Sequence, residues 1–181
     1  MWVAFEPNAF DGRDSEYAHT QWYGKTGQFV ASYQDNKNGT ATRTKEVNAE
    51  LLHEPGQERW YQVPLTTGEV TITEPSVYTL QSGKQEFMSS FCVPIEIEGR
   101  VAGVLGVDVG FKEIQEMLAK IKIISDRASL QLVSNGGVLI YSPQSERIGK
   151  NLADIIKGQK TSGEVLSSIK EGREFFVYEY A

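Results

Sequence analysis

Residues 86–109 read EFMSSFCVPIEIEGRVAGVLGVDV, and this stretch is the strongest indication of fold in the chain. It holds two long runs typical of strands, Glu86–Ile97 and Arg100–Val109, which only Glu98-Gly99 separates. A two-residue connection that contains glycine is typical of a tight hairpin turn. The stretch therefore predicts two long antiparallel strands at the centre of a sheet.

Shorter strands are predicted upstream, and their connections favour the same antiparallel arrangement. The candidate strands are Gln28–Tyr33, Glu69–Thr73 and Val77–Leu80. The breaks at Glu74-Pro75 and at residues 82–84 carry turn residues and are too short for the crossover helix of a parallel sheet. A short helix is expected around Glu58–Leu65, weakened by Pro64, which lacks a backbone N–H.

The clearest helix follows the hairpin, over Phe111–Ile124. Its apolar residues recur with the 3.6-residue period of a helix and form one stripe. They are Phe111, Ile114, Met117, Leu118, Ile121 and Ile124.

A second, shorter unit begins after that helix. Strands are predicted at Ala128–Ser134 and Val138–Ser142, with the turn Asn135-Gly136-Gly137 between them. Helices at Lys150–Lys157 and Glu164–Lys170 and a strand at Phe175–Tyr180 follow. The predicted fold class is thus α+β: an antiparallel sheet flanked by helices over residues 1–110, a connecting helix over 111–125 and an incomplete second α+β subdomain over 126–181.

Composition excludes several classes of protein. The 181 residues include 18 basic and 24 acidic side chains, for a net charge of −6, which gives no general attraction for nucleic acid. The longest apolar run, Val101–Val107, is far shorter than the roughly 20 residues that span a bilayer. The single cysteine, Cys92, allows neither an intramolecular disulfide nor a cysteine-cluster metal site. Strand-like segments at both ends predict a piece excised from a longer protein.

Eight short motifs, in this order along the chain, resemble one known family. They are WVAFEPNAFDGRD at 2–14, TGQF at 26–29, RWY at 59–61, TEP at 73–75, VPI at 93–95, GVLGVD at 103–108, VSNGG at 133–137 and IGKNL at 148–152. Together they resemble the double Cache family, the extracytoplasmic ligand sensors of bacterial methyl-accepting chemotaxis proteins. Each motif is weak alone, but their fixed order covers nearly the whole chain.

The resemblance implies a fold and a function. It implies a membrane-distal, PAS-like subdomain followed by a membrane-proximal one, here without the family's long N-terminal helix and truncated at both ends. It further implies binding of a small molecule (an amino acid, amine or small organic acid), no cofactor, and signalling across the cell membrane to control chemotaxis. The full receptor would be membrane-anchored and homodimeric, with this domain on the periplasmic or extracellular side.

Trp60 and Tyr61 are the first candidates for ligand contact. An indole N–H and a phenol O–H are donors on apolar bodies, which suits them to orient a small polar ligand. The residues alone favour the other interpretation, that they are ordinary aromatic residues of the core. In the resembled family the Trp-Tyr pair lines the distal pocket and helps to hold a ligand carboxylate.

Asp108 is the second candidate, at the end of an apolar strand. A carboxylate in that place needs a partner, because burying an unpaired charge is costly. The residues allow two interpretations, a ligand contact or a strand-end side chain that accepts backbone N–H bonds. The resemblance implies the first, with Asp108 on a ligand ammonium group.

The carboxylate clamp of the amino-acid-binding relatives is incomplete here. Those relatives resemble the pattern Tyr, four residues, Arg, one residue, Trp-Tyr, whereas this chain has His53 and Glu58 at the Tyr and Arg positions. Arg59 lies one residue late, and a one-residue shift on a helix turns a side chain by about 100°. Ser76 also stands where many relatives carry Tyr. General α-amino-acid binding therefore does not follow.

The remaining candidates are secondary. Tyr33 and Tyr78 are candidate pocket residues through the resemblance, with packing as the alternative. Glu6, Asp11 and Asp14 form an acidic loop that matches no calcium-loop spacing and is interpreted as a solvated turn. Cys92 is expected to pack as a small hydrophobic residue.

No enzyme signature is present in the sequence. It contains no G-x-S-x-G, H-E-x-x-H or Walker motif, and its two histidines, His19 and His53, have no recognisable nucleophile partner. Two alternatives to a chemoreceptor sensor stay open. One is the same sensor on a histidine kinase or diguanylate cyclase, and the other is an interaction domain without a ligand pocket, in which Trp60, Tyr61 and Asp108 would be packed solid.

Overall fold

The computed structural model describes residues 1–45, 47–55, 58–80, 82–123, 128–160 and 162–173. The predicted strand Phe175–Tyr180 and the end of the predicted helix at Ile124 lie outside these ranges. The chain forms two compact units. The first consists of Met1–Thr73, Thr79–Lys84 and Ser89–Val109, and the second consists of Glu74–Tyr78, Gln85–Met88 and the described residues from Gly110 onward.

An antiparallel sheet of seven strands carries most of the first unit, as predicted. Its strands are β1 (Trp2–Phe5), β2 (Val30–Asp35), β3 (Ala41–Thr44), β4 (Thr71–Ile72), β5 (Ser76–Thr79), β6 (Gln85–Ile97) and β7 (Arg100–Gly110). Their order is β3-β2-β1-β7-β6-β4, and β5 also pairs with β6. Trp2 lies opposite Ser32 on β2 and opposite Gly106 on β7, so β1 is inserted antiparallel between them. The long hairpin of β6 and β7 is confirmed.

Two strands of the first unit differ from the sequence prediction, and in the second unit the strand predicted at Ala128–Ser134 is reduced to Leu132–Val133. β3 was not predicted, because its residues, Ala-Thr-Arg-Thr, show no apolar alternation. It forms because the turn before it is closed by the Asn36 N–H, which donates to the Thr40 carbonyl at 3.1 Å, and β3 then pairs with β2. The strand predicted at Glu69–Thr73 is reduced to the two residues of β4.

One face of the sheet builds the core of the first unit. Its fully or nearly fully buried members form one cluster: Trp2, Ala4, Val30, Leu52, Tyr61, Cys92 and Val104. Because side chains alternate along a strand, the residues between them point to the opposite face. On that opposite face of β6 and β7, Phe91, Val93, Leu105 and Val107 are exposed by 37–43%.

Short helices complete the first unit. They are α1 (Asp14–Tyr17), a 3₁₀ turn (Ala49–Leu51), a π-helical turn (Glu58–Gln62) and α2 (Val63–Thr67). The π-helical turn and α2 occupy the segment where a short helix was predicted. Pro64 lies in the first turn of α2, where a missing N–H does no harm, and Gly68 ends the helix with a left-handed φ of 69°.

The second unit has helices α3 (Lys112–Leu118), α4 (Leu152–Ile155) and α5 (Ser162–Lys170), a 3₁₀ turn (Ser145–Arg147), and the strand pair β8 (Leu132–Val133) and β9 (Leu139–Tyr141). Its buried cluster contains Leu139, Leu152 and Val165.

Helix α3 is shorter than the predicted Phe111–Ile124. Met117 and Ile121, on the predicted apolar stripe, are 59% and 50% exposed, so the stripe lacks the packing that normally stabilises a helix. None of the helices in the described ranges has the length and hydropathy needed to cross a membrane.

Candidate functional site

Trp60 contacts a residue that the sequence did not single out, Trp2. The half-buried Trp60 indole, on the π-helical turn, packs edge-to-face with the buried Trp2 indole, with ring centroids 4.8 Å apart and an interplanar angle of 80°. Such edge-to-face pairs add about 0.5–1.5 kcal/mol beyond the area they bury. π-helical turns occur frequently at functional sites.

Gly106 makes room for the Trp2 indole. A Cβ built on Gly106 would lie 2.1 Å from two ring carbons of Trp2, which no side chain could tolerate. The indole therefore lies directly across β7, and its Nε1 reaches the side chain two residues further along that strand. That side chain is Asp108.

Asp108 is held by side chains of the sheet. Its Oδ1 accepts a hydrogen bond of 3.1 Å from Trp2 Nε1 and one of 2.7 Å from Ser90 Oγ. Within the described part of the chain, its Oδ2 has no hydrogen-bond partner, and the residue as a whole is exposed. The carboxylate is thus fixed at one oxygen and open at the other.

Cys92 lies in the core beside this carboxylate. Burial, and then the negative charge of Asp108, raise the pKa of the Cys92 thiol to about 12. The side chain is therefore a neutral thiol at physiological pH. It is completely buried, in agreement with the expectation that it packs as a small hydrophobic residue.

Tyr61 is completely buried in the same core cluster against which Trp60 packs. Its hydroxyl donates a 2.7 Å hydrogen bond to Glu6 Oε1, and His53 Nε2 lies 3.8 Å from the same oxygen. Burial, and then the bond to Glu6, raise the pKa of Tyr61 above its usual value. The one O–H donor of Tyr61 is therefore already used in a hydrogen bond to Glu6, and its ring packs in the core.

The other predicted site residues are not all brought to this place. Arg59 is exposed on the π-helical turn. Tyr33 pairs with Arg43 and is one residue beyond Ser32, the partner of Trp2, so it points to the face of the sheet opposite Trp2. Tyr78 lies half-buried in β5, within the second unit.

The acidic side chains near the N-terminus serve separate purposes. Asp14 Oδ2 accepts the Asn8 N–H at 2.7 Å, Asp11 Oδ1 accepts the Arg13 N–H at 3.0 Å, and Glu6 accepts from Tyr61. Among the described residues there is no group of three or more potential metal ligands.

A cavity of about 250 Å³ lies elsewhere in the first unit, beside β2 and β3. Trp22, Tyr23, Val30, Arg43 and Asn48 are among its lining residues. The sequence interpretation missed it, because an isolated arginine in a polar segment and an adjacent Trp-Tyr pair match no motif.

A family model now decides what kind of domain this is. Residues 1–116 match the methyl-accepting chemotaxis protein-like, first PDC sensor domain. The chain belongs to this family. The predicted resemblance to Cache sensors of chemoreceptors and the predicted α+β fold are confirmed.

Curated relatives of this PDC sensor domain are chemoreceptors. The methyl-accepting chemotaxis protein TlpQ of Pseudomonas aeruginosa is 25% identical over 96% of this chain and 25% of its own length. McpA of Pseudomonas putida is 25% identical over 74% of this chain and 20% of its own length. The chain thus spans about a quarter or less of these relatives.

Solved structures show the same fold. The extracellular domain of mmHK1S-Z3, described as a histidine kinase, is 35% identical with a TM-score of 0.73, over 94% of this chain and 58% of that one. The periplasmic sensory domain of the Campylobacter jejuni chemoreceptor Tlp1 has a TM-score of 0.63 at 21% identity, over 94% and 58% of the two chains.

Proposed function

We propose that this PDC sensor domain is the ligand-sensing region of a membrane-anchored chemoreceptor that controls chemotaxis. In this proposal the domain lies on the periplasmic or extracellular side of the cell membrane, binds a small molecule without converting it, and requires neither cofactor nor nucleic acid. Its family and its chemoreceptor relatives support this proposal.

The observation that best supports the proposal is the hydrogen bonding of the Asp108 carboxylate. Two neutral donors, Trp2 Nε1 and Ser90 Oγ, fix its Oδ1, while Oδ2 is left to accept a further hydrogen bond. A ligand ammonium group would supply that donor, and charge-assisted hydrogen bonds are about twice as strong as neutral ones. The Trp60 indole packs on Trp2, the residue that donates to Oδ1.

The residues around this carboxylate favour an amine or an amino acid. Arg59 is exposed, and the Tyr61 hydroxyl already donates its hydrogen bond to Glu6, so neither is arranged to hold a carboxylate beside Asp108. A small organic acid without an ammonium group would meet the negative charge of Asp108. We therefore place amines and amino acids ahead of organic acids as ligands.

Signalling would follow from a change in the population of states. A ligand shifts a conformational equilibrium only by as much as its affinities for the two states differ. Asp108 lies four residues before the start of α3 in the sequence. Binding at Asp108 would act directly on the strand that continues into this helix.

Calorimetry with a panel of amines, amino acids and small organic acids tests the proposal. We expect a saturable response to at least one ligand with an ammonium group, and a loss of about tenfold or more in affinity in Asp108→Asn. The matched control is Asp154→Asn, which removes an exposed carboxylate from α4. A ligand that binds Asp108→Asn and the original chain equally would contradict the role of Asp108.

A histidine kinase is the second candidate for the whole protein. The 35% identity to the extracellular domain of mmHK1S-Z3 favours it over a diguanylate cyclase. The sensor would then be the same and only the output region would differ. The complete gene sequence decides between the two. An interaction domain without a pocket is less well supported, because Asp108 is exposed instead of packed solid.

The proposed receptor would act as a homodimer. The exposed apolar side chains on the outer face of β6 and β7, Phe91, Val93, Leu105 and Val107, support association, since contiguous exposed apolar surface commonly marks contact sites. Analytical ultracentrifugation of the chain over a range of concentrations measures this directly. A monomer at all concentrations would limit dimerisation to parts of the receptor beyond this segment.

A further inference from the structure

The cavity beside β2 and β3 is lined by residues that are not part of the Asp108 site. It is formed by the start of β2, the end of β3 with the segment that follows it, and the loop that contains Trp22 and Tyr23. Its volume of about 250 Å³ is enough for a small organic molecule or an inorganic oxyanion. All of its lining residues belong to the first unit.

Arg43 is the unusual side chain of this cavity. Its Nε is buried and has no hydrogen-bond partner among the residues that the structure describes. The bond from its Nη2 to the Val30 carbonyl is 3.5 Å long, at the outer limit for a hydrogen bond. A guanidinium carries five N–H donors, and leaving a buried donor unsatisfied costs about 1–3 kcal/mol or more.

Aromatic rings fix the orientation of this guanidinium. Its central carbon lies 4.5 Å from the ring centroid of Trp22 and 5.3 Å from that of Tyr23. Cation–π contacts of this kind hold the planar group without using its N–H donors. These contacts therefore leave the N–H donors unused, apart from the long bond from Nη2 to the Val30 carbonyl.

Several other polar side chains of the cavity are already engaged. Gln28 Nε2 donates to the Phe5 carbonyl at 2.6 Å, and Asn48 Oδ1 accepts the Leu51 N–H at 3.2 Å. Thr44 Oγ1 lies 2.8 Å from Ser32 Oγ. Glu50, the acidic residue among those lining the cavity, lies 3.9 Å from Lys25 Nζ, so its charge is partly compensated.

We propose that this cavity binds a small molecule through an oxyanion group, a carboxylate or a phosphate, which accepts hydrogen bonds from Arg43. The planar fork of a guanidinium matches the two oxygens of either group, and such paired bonds are among the strongest in proteins. Although the chain has a net charge of −6, the positive charge of Arg43 attracts anions at this cavity. The site is independent of Asp108, whose carboxylate would repel the same group.

Titration calorimetry at constant ionic strength tests this proposal with two probes. Succinate represents a carboxylate ligand, and inorganic phosphate represents a phosphate ligand. Succinamide, which lacks the charge, is the neutral control. We expect saturable binding of one of the two anions, no binding of succinamide, and a change in fluorescence of Trp22, which Trp22→Phe abolishes. The anion that binds identifies the chemistry of the natural ligand.

Substitutions assign the binding to Arg43. We expect Arg43→Gln to weaken binding at least about tenfold and Arg43→Lys, which keeps the charge but loses the fork, to weaken it less. Arg59→Gln removes an equal charge from an exposed position outside the cavity and should leave affinity unchanged. Circular dichroism of each variant establishes whether it is folded. If Arg43→Gln does not fold, Arg43→Lys still tests the role of Arg43.

Three results would overturn the proposal. The first is that neither anion binds saturably. The second is that folded Arg43→Gln or Arg43→Lys binds the anion as tightly as the original chain does. The third is that Arg59→Gln loses as much affinity as Arg43→Gln. Asp108→Asn, tested with the same probes, should bind the anion as the original chain does. Its result separates this site from the one proposed for an ammonium group.

Discussion

The indole of Trp2, on the first strand, donates a hydrogen bond of 3.1 Å to the carboxylate of Asp108, at the far end of the seventh. The bond joins residues 106 positions apart and exists because Gly106 has no side chain under the indole. It fixes the carboxylate oxygen that faces the sheet and leaves the other to the exterior. The proposed ammonium site therefore depends on a residue at the start of the chain.

The coupling between Trp2 and Asp108 is measurable. We expect a double-mutant cycle of Trp2→Phe and Asp108→Ala, followed by urea denaturation, to give a coupling free energy of about 1 kcal/mol. The matched cycle pairs Trp2→Phe with Asp35→Ala, an exposed carboxylate at the end of β2 that binds the Lys37 N–H. Equal coupling in both cycles would show that the bond contributes nothing specific.

Gly106 should be intolerant of even a methyl group. Gly106→Ala places a Cβ 2.1 Å from the Trp2 ring, and overpacking of this kind costs about 1–3 kcal/mol of the free energy of unfolding. The control is Gly110→Ala, because a Cβ on Gly110 meets nothing within 4 Å. Thermal denaturation of both variants gives the comparison. Similar melting temperatures would mean that the indole can move aside without cost.

The long strands were predictable from sequence because their apolar runs are continuous. The hairpin of β6 and β7 needed only strand propensity and a two-residue turn. β3 escaped prediction because its residues are polar and its stability comes from pairing with β2. Helix α3 was predicted too long because a periodic apolar stripe predicts a helix whether or not another surface covers it.

The candidate site was predicted in part. Asp108 and Trp60 came from the resemblance, and the structure links them through Trp2, which carries no signal of its own in one sequence. From the sequence, Trp60 and Tyr61 were equivalent candidates. How the turn packs on the sheet decides which of the two adjacent residues is fully buried, and the sequence does not give that packing. Arg43 was missed because an unsatisfied donor is a property of packing.

The Tyr61 hydroxyl should make stability depend on alkaline pH. Burial and the bond to Glu6 raise the pKa of Tyr61 in the folded state above the value of about 10 expected in the unfolded chain. Below about pH 10 both states are protonated, and above it only the unfolded state releases the proton, so this contribution to stability is lost as pH rises. Urea denaturation at about pH 9 and about pH 11 measures the loss, which Tyr61→Phe should reduce. An unchanged pH dependence in Tyr61→Phe would assign the loss to other groups.

Cys92 should resist alkylation while the protein is folded. The thiolate is the reactive form, and burial together with the charge of Asp108 raises the pKa of Cys92 to about 12. We expect iodoacetamide at about pH 8 to modify Cys92 in urea and to leave it intact in the native state. Mass spectrometry follows the reaction. Rapid native modification would show that β6 opens locally.

Glu74 stabilises a turn within the second unit. Its carboxylate accepts a hydrogen bond from Ser134 Oγ and one of 3.0 Å from the Gly136 N–H, and so holds the turn between β8 and β9. Glu74→Ala removes both acceptors and should destabilise that turn by about 1–3 kcal/mol. Glu74→Gln keeps one carbonyl oxygen and should cost less. Hydrogen exchange of the Gly136 N–H reports the effect locally, and Glu96→Gln, an exposed carboxylate on β6, is the control. Unchanged exchange in Glu74→Ala would show that the turn is stable without the carboxylate.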